Sequence, residues 1–182
     1  LLVLVWYIRK VSKINHLHAT TDELTQISNR RQILHDLHCL IRAASKAHQP
    51  LCVAMLDIDY FKRINDHCGH LIGDLVLIEV ARVALNSLRP NDLIGRLGGE
   101  EFLLVMPNTT LAQASVLCES VRTALHDITF KDLEREKLFV SGSFGVATLI
   151  AENEKSETLI HRADMALYYA KQNGRDQISC KN

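Results

Sequence analysis

The sequence has no excess of charge of either sign, because 21 Lys and Arg residues balance 21 Asp and Glu residues. A chain without net charge does not attract nucleic acid as a whole, so we expect no nucleic-acid partner and only local anion sites. Internal repeats, low-complexity tracts and interdomain linkers are also lacking after residue 22. The 182 residues, 47% of them hydrophobic, are enough for one buried core. We therefore expect one globular domain.

Paired cysteines and a P-loop are lacking as well. The five cysteines form no CxxC pair, and most lie in apolar patterns, which is typical of reduced thiols in a reducing compartment. Two histidine pairs, His35 with His38 and His67 with His70, have a spacing compatible with zinc, but no thiolate completes a ligand set. The Walker A motif is absent too, which excludes phosphate binding of the P-loop type.

The apolar run at the N-terminus, LLVLVWYI, is too short to cross a bilayer alone. Its eight residues span only ~12 Å, against ~30 Å for a hydrocarbon core. Because Arg9 and Lys10 follow at once, we expect the last turns of a transmembrane helix with its basic flank on the cytoplasmic side. The alternative is the buried or interfacial start of a helix. Helical spacing then predicts a short connecting helix through Ile14, Leu17, Thr21 and Leu24, which could pair with a copy of itself.

Apolar periodicity predicts alternating helices and strands in the rest of the chain. The predicted elements are a helix from the N-cap Asn29 to Pro50, a strand over 51–56 ending on Asp57, a helix from Leu71 to Pro90, strands over 93–97 and 102–106, a helix over 114–125, one or two strands within 138–150, a helix over 159–170, and a closing strand over 177–180. From Leu51 this order is the split βαβ pattern. We expect an α+β fold, with a central, mostly antiparallel sheet flanked by helices on a ferredoxin-like core.

In this topology the first and third strands are central, adjacent and antiparallel, so Asp57 should lie beside Glu100 and Glu101. Clustered carboxylates repel one another and are tolerated when a hard cation neutralises them. Magnesium fits best, because it takes oxygen ligands and bridges substrate phosphates. Gly98 and Gly99 have no Cβ and let a phosphate approach the backbone, so the turn suits a nucleoside triphosphate. The alternative is a tight hairpin with solvated glutamates.

Five segments, DELTQISNRR, DIDYFKRINDHCGHLIGD, RLGGEEF, SFGVA and ADMALYYAKQNGRD, together resemble the GGDEF family of diguanylate cyclases, in its GGEEF variant. The resemblance runs from about Asp22 to Asp176 and includes the fold of nucleotidyl cyclase and polymerase palm domains. It implies that two GTP molecules condense into cyclic di-GMP with release of two pyrophosphates. The implied cofactor is Mg²⁺, with Mn²⁺ as a substitute, and the implied active form is a homodimer.

The resemblance also implies a role for individual residues. Asp57, the carbonyl of Ile58 and Glu100 are implied metal ligands, and Glu101 assists Asp57 and Glu100 in catalysis. The implied substrate-binding residues are Asn65, Asp74 and His70 for the guanine-facing motif, with Phe61, Lys62, Gly98, Gly99, Lys171 and Arg175 for the phosphates.

Each of these assignments has a simpler alternative. Asp59 either caps the following helix or takes part in catalysis. Asn65 and Asp66 suit turn residues, and Lys171 and Arg175 suit solvated surface charges.

The family's N-terminal signature reads close to DxLTGLxNRR, whereas Gln26 and Ile27 stand here for Gly and Leu. This departure predicts altered packing of that segment.

A second site is implied by RPND, which is similar to the family's RxxD inhibitory site. Arg89 would grip phosphate or guanine of the product, and Asp92 would accept from a guanine edge. A helix stop followed by a turn is the alternative reading of these residues.

The resemblance divides the chain at residue 22. We expect residues 1–21 to hold the end of the transmembrane helix and a signalling helix, and residues 22–182 to form the catalytic domain. That domain would lie in the cytoplasm, tethered to the bacterial inner membrane by a segment ending near residue 8. Rival functions are a silent module that binds GTP or cyclic di-GMP and a mixed-base dinucleotide synthase, although Asp74 favours guanine.

Overall fold

The computed structural model describes residues 20–130, 138–152 and 154–181. Five helices and five strands lie in these ranges. In chain order they are α1 (Arg30–Ala47), β1 (Leu51–Ile58), α2 (Phe61–Cys68), α3 (His70–Ser87), β2 (Leu93–Gly98), β3 (Glu101–Pro107), α4 (Leu111–Leu125), β4 (Gly142–Thr148), α5 (Ser156–Gln172) and β5 (Ile178–Lys181).

The strands form one sheet in the order β2-β3-β1-β4-β5. β1 is antiparallel to both β3 and β4, and β5 joins the edge parallel to β4. This confirms the predicted α+β fold, with β1 and β3 at the centre of a mostly antiparallel sheet.

Helices cover both faces of the sheet, and β1 shows why. All eight of its residues are buried, and side chains alternate between the two faces of a strand. Cys52, Ala54 and Leu56 pack in one cluster with α3 and α4. Val53 and Met55 pack in the other cluster with α1 and α5. The continuous apolar run of β1 therefore reflects burial on both sides.

Helix α5 lies unusually close to β4, and Gly145 makes this approach feasible. A Cβ at Gly145 would overlap the carbonyl oxygen of Ala163 and the amide nitrogen of Leu167, and would lie 2.7 Å from Leu167 Cα. Because β4 is paired with β1, this packing brings the last turn of α5 towards the end of β1.

Several sequence predictions need correction. Thr21 and Leu24 do not lie on a connecting helix, because Thr21 forms a β-bridge with Ser28 and Leu24 lies in the turn that follows. Ile14, Leu17 and the apolar residues 1–8 lie outside the described residues. The strand predicted within 138–150 is limited to β4.

The short helix α2 has no counterpart among the predicted elements, whose helix begins only at Leu71. Asn65 and Asp66 belong to this helix, so the alternative of ordinary turn residues is wrong. In the part of the chain that the structure describes, no helix combines the length and hydropathy needed for a membrane span.

Candidate active site

The predicted meeting of the acidic residues is confirmed. Asp57, near the end of β1, pairs in register with Glu101 at the start of β3. The amide of Ile58 donates a hydrogen bond to the carbonyl oxygen of Glu100, at 3.3 Å. The antiparallel pairing therefore brings together carboxylates that are more than forty residues apart in sequence.

Lys171, in the last turn of α5, reaches this acidic group. Its Nζ lies 2.8 Å from Asp57 Oδ2, and the Asp57 side chain is only 9% exposed. Burial raises the pKa of Asp57 to about 6; the ion pair with Lys171 opposes this rise, and repulsion from Glu100 and Glu101 adds to it. The site as a whole thus has more negative charge than Lys171 neutralises.

The turn between β2 and β3 has an open backbone that Arg96 supports. Gly98 and Gly99 have φ of 144° and 53°, and beyond the adjacent residues a Cβ at either would meet no atom of the described part of the chain within 4 Å. Arg96 donates through Nε and Nη2 to the Gly99 carbonyl oxygen, at 3.0 and 2.8 Å. Its Nη1 lies 3.2 Å from Asp22 Oδ1. The sequence prediction missed this role of Arg96, although an arginine two residues before a diglycine turn was the available signal.

The corner between α2 and α3 brings together the residues expected to face guanine. A Cβ at Gly73 would overlap Asn65 Oδ1 and lie 3.4 Å from Phe61 Cζ. The Asn65 side chain therefore lies against α3 one residue before the exposed Asp74. His70 and Lys62 are also exposed, and neither side chain has a hydrogen bond to another described residue that would mark a role.

Arg175 follows α5 in the chain, and its side chain lies against the start of α2. Its Cζ is 4.6 Å from the ring centroid of Tyr60, the N-cap residue of α2. Its backbone amide donates to the carbonyl oxygen of Ala170, at 3.1 Å. Lys171 and Arg175 therefore project from one end of α5 towards β1 and α2.

Asp59 links the end of β1 to residues before and within β4 and after α5, and the alternative that it caps the following helix is wrong. Helix α2 has Tyr60 as its N-cap, without a side-chain capping bond. The buried Asp59 carboxylate instead accepts hydrogen bonds from Ser141 Oγ at 2.9 Å, Ser143 Oγ at 2.7 Å and the Asp176 amide at 3.0 Å. It thereby ties the end of β1 to the loop that carries Arg175. All three partners are more than eighty residues away in sequence, so no local pattern indicated them.

Arg89 and Asp92 form a separate pair between α3 and β2. Arg89 donates to Asp92 through Nε at 2.9 Å and Nη2 at 2.7 Å. The Asp92 side chain is fully buried, whereas that of Arg89 is 45% exposed. The pair lies just before β2 in the chain, and the diglycine turn lies at the other end of β2. The length of this strand therefore separates the Arg89–Asp92 pair from the acidic site.

The donor set at the end of β1 suits a hard divalent cation. Within the described ranges, no three Asp, Glu, His or Cys side chains form a ready metal cluster. The expected ligands, however, are two carboxylates and the backbone carbonyl of Ile58, with water completing the shell. The uncompensated charge around the buried Asp57 fits such an ion.

The chain is similar to known proteins over most of its length. A family profile described as "Diguanylate cyclase, GGDEF domain" matches residues 19–177. The chain is 40% identical over 161 residues to "Response regulator PleD" of Caulobacter vibrioides, which covers 88% of this chain and 36% of that protein. It is 41% identical over 160 residues to "Diguanylate cyclase DgcP" of Pseudomonas aeruginosa, which covers 88% of this chain and 24% of that protein.

A solved structure agrees with these matches. The coiled coil and GGDEF domain of DgcB from Caulobacter crescentus, in complex with c-di-GMP, aligns with a TM-score of 0.92 at 29% identity, over 98% of this chain and 94% of that chain. The chain spans less than half the length of the two curated relatives. Since the family profile covers most of the sequence, the chain belongs to the GGDEF domain family of diguanylate cyclases.

Proposed function

We propose that this domain condenses two GTP molecules into cyclic di-GMP and releases two pyrophosphates. The observation that carries the proposal is the pairing of Asp57 with Glu101 beside an open diglycine turn, with Lys171 on Asp57. Carboxylates, cations and unhindered backbone at one point are what binding of a triphosphate with its metal ion requires. In each half-reaction the 3′ oxygen of one nucleotide attacks the α-phosphate of the other, and pyrophosphate leaves.

Diguanylate cyclases of this family use a divalent metal ion, and we assign Mg²⁺ here, with Mn²⁺ as a substitute. Asp57, Glu100 and the Ile58 carbonyl would hold it, and the ion would stabilise charge on the transferring phosphoryl group. Lys171 neutralises Asp57 in the unliganded chain. Its flexible side chain can then turn from Asp57 to a phosphate oxygen. Glu101, next to these proposed ligands, would accept the proton of the attacking hydroxyl.

The remaining residues bind and orient the nucleotide. Asn65 and Asp74, on adjoining surfaces of α2 and α3, can complement the donor and acceptor edge of guanine, and His70 lies in the same exposed corner. Phosphates would lie against the diglycine turn and the start of α2, between Lys62 and Arg175. This arrangement supports GTP in preference to a mixed-base substrate pair.

Each domain would hold one nucleotide, so the active form would be a homodimer with its two sites facing each other. The basic residues after the apolar segment 1–8 support a tether to the bacterial inner membrane, with the domain on the cytoplasmic side.

The experiment that tests the function is mass detection of product after incubation of the purified chain with GTP and Mg²⁺. We expect cyclic di-GMP from the wild-type chain and none from Glu100→Gln, which keeps the shape of the side chain but loses an anionic ligand. Product from Glu100→Gln at the wild-type rate would refute the ligand assignment. Binding of cyclic di-GMP without any turnover would instead indicate a silent regulatory module.

We also propose that Arg89 and Asp92 bind the product and limit its synthesis. The partly exposed guanidinium, held by a buried carboxylate, supports this role because its geometry is fixed before a ligand arrives. Arg89→Ala should raise the concentration of cyclic di-GMP needed for half-inhibition by about tenfold, the loss of one charge-assisted contact. An unchanged inhibition curve, with the fold verified by circular dichroism, would contradict the assignment.

A further inference from the structure

Two guanidinium groups share one aromatic ring beside the active site. Arg63 Cζ lies 4.7 Å, and Arg175 Cζ 4.6 Å, from the ring centroid of Tyr60. The two cations therefore cannot lie further apart than the sum of these distances. Like charges so placed repel each other, and stacking on a ring offsets only part of that repulsion. The arrangement is suited to an anion that contacts both groups.

The acidic side chains nearby are already committed to other partners. A cavity of about 460 Å³ is lined by Asp59, Tyr60, Arg63, Arg175 and Asp176 among others. Asp59 accepts bonds from Ser141, Ser143 and the Asp176 amide. The Asp176 side chain is bound by Arg122 at 2.8 Å and His126 at 2.9 Å. Among the described residues, neither Arg63 nor Arg175 has a carboxylate within ion-pair distance.

We infer that Arg63 is a further substrate-binding residue, which binds the terminal phosphates of the nucleotide together with Arg175. The inference rests on the proposed function and extends it to a residue that the family resemblance leaves without a role. Arg63 lies in the first turn of α2, where helix geometry already favours an anion. A guanidinium can bind phosphate through two parallel hydrogen bonds. Contact with the Tyr60 ring orders both guanidinium groups before the nucleotide arrives, which reduces the entropy lost on binding.

The test compares two ligands that differ in their phosphates. One is GMP, and the other is the GTP analogue with a methylene group between the α- and β-phosphates, which cannot release pyrophosphate. Calorimetric titrations of the whole chain with Mg²⁺ should show that Arg63→Ala weakens binding of the analogue by roughly tenfold, the loss of one charged contact. Binding of GMP should change less than twofold, because its single phosphate does not reach Arg63.

Two further variants complete the test. Arg63→Lys should recover part of the affinity for the analogue, since it keeps the charge but not the planar fork. Arg82→Ala should leave both affinities unchanged, because Arg82 is an exposed α3 residue already paired with Glu79 at 2.6 Å.

The outcomes separate the two proposals. If Arg63→Ala binds the analogue as tightly as the wild-type chain does, or loses equal affinity for both ligands, the role of Arg63 is overturned. The proposed function would still stand if the wild-type chain converts GTP. A wild-type chain that neither binds the analogue nor converts GTP would overturn both.

Discussion

Asp57 is a carboxylate in a strand that is otherwise built for burial. It lies in β1, all of whose residues are buried, and it faces further acidic residues across the sheet. Among the described residues, Lys171 is the only cation in contact with Asp57. This is a costly place for a charge in the absence of a metal ion, because burial and repulsion both favour the neutral acid. Local stability is thus reduced at the position where the proposed metal binding needs negative charge.

Asp57→Asn should therefore stabilise the metal-free chain at neutral pH. The folded-state pKa of Asp57 is about 6, above the ordinary value of 3.8. Between these values the folded chain binds more protons than the unfolded chain, so stability falls as pH rises and the loss is complete above the folded pKa. The Asn variant should be more stable by about 3 kcal/mol at pH 7, and most of this gain should be lost by pH 4.

Urea unfolding in the presence of a chelator, at pH 7 and at pH 4, measures this difference. The Asn variant should also fail to make product. A variant less stable than wild type at pH 7 would show that the ion pair with Lys171 outweighs burial and repulsion.

Gln26 occupies a backbone position where the family signature has glycine. Its φ is 59°, in the left-handed region that costs a residue with a Cβ about 1 kcal/mol or more. The turn is nevertheless formed, because the Asp22 amide donates to Ile27 O at 2.8 Å and the Gln26 amide to Asp22 O at 2.9 Å. Ile27 is buried in the core. The turn thus forms with Ile27 in the core, while Gln26 holds a strained left-handed backbone.

Gln26→Gly should be more stable than Gln26→Ala by about 1 kcal/mol. In the wild-type chain Gln26 Nε2 donates a hydrogen bond to the carbonyl oxygen of Glu23, at 2.7 Å. Both variants lose this bond, so the difference between them isolates the effect of the Cβ. Thermal unfolding of the two proteins measures it. Equal melting temperatures would show that the turn relaxes out of the left-handed region.

At the scale of elements, the contact between α5 and β4 sets the position of Lys171. Gly145 lies where the backbone of α5 passes closest to the sheet. Gly145→Ala should push the helix away and destabilise the chain by about 3 kcal/mol, because backbone atoms cannot move aside as side chains do. The fraction that still folds should also make product more slowly, since Lys171 moves with α5.

Gly142→Ala is a matched control in the same strand. Its Cβ would lie 2.7 Å from Leu56 Cδ1 and 3.1 Å from Leu125 Cδ1, both ends of rotatable side chains. The loss of stability should therefore be about 1 kcal/mol. Equal losses for the two variants in urea unfolding would show that the approach of α5 is not limiting.

The elements that sequence predicted best are those with a strong periodic pattern. β1 and the β2-β3 hairpin follow from apolar runs and a diglycine turn, and their topology then placed Asp57 beside Glu101. The prediction failed where contacts are distant in sequence. Of the partners of Asp59, Ser143 lies in β4, Ser141 lies just before β4, and Asp176 follows α5. No residue close to Asp59 in the sequence indicates these contacts. α2 was missed because it is only eight residues long and buries only Phe61 and Ile64, which is too few apolar positions to show a helical period.

At the scale of the whole molecule, the question is whether one domain can complete the reaction. The described residues contain one acidic centre and one corner that we propose faces guanine. Closing two phosphodiester bonds between two nucleotides requires that each bound GTP receive an attack from the other. If every domain supplies one nucleotide, both partners of a dimer must be competent.

Mixing wild-type and Glu100→Gln chains should therefore reduce the yield of cyclic di-GMP more steeply than dilution. With random exchange of equal amounts, about a quarter of the dimers contain two wild-type chains, so the rate should fall to about a quarter of that of the undiluted enzyme. The total protein concentration is held constant, and sedimentation confirms that both chains dimerise equally. Mixed dimers should release a linear dinucleotide at most, which mass detection distinguishes from the cyclic product. A rate of one half would mean that each domain works alone and that the second GTP binds to the same chain.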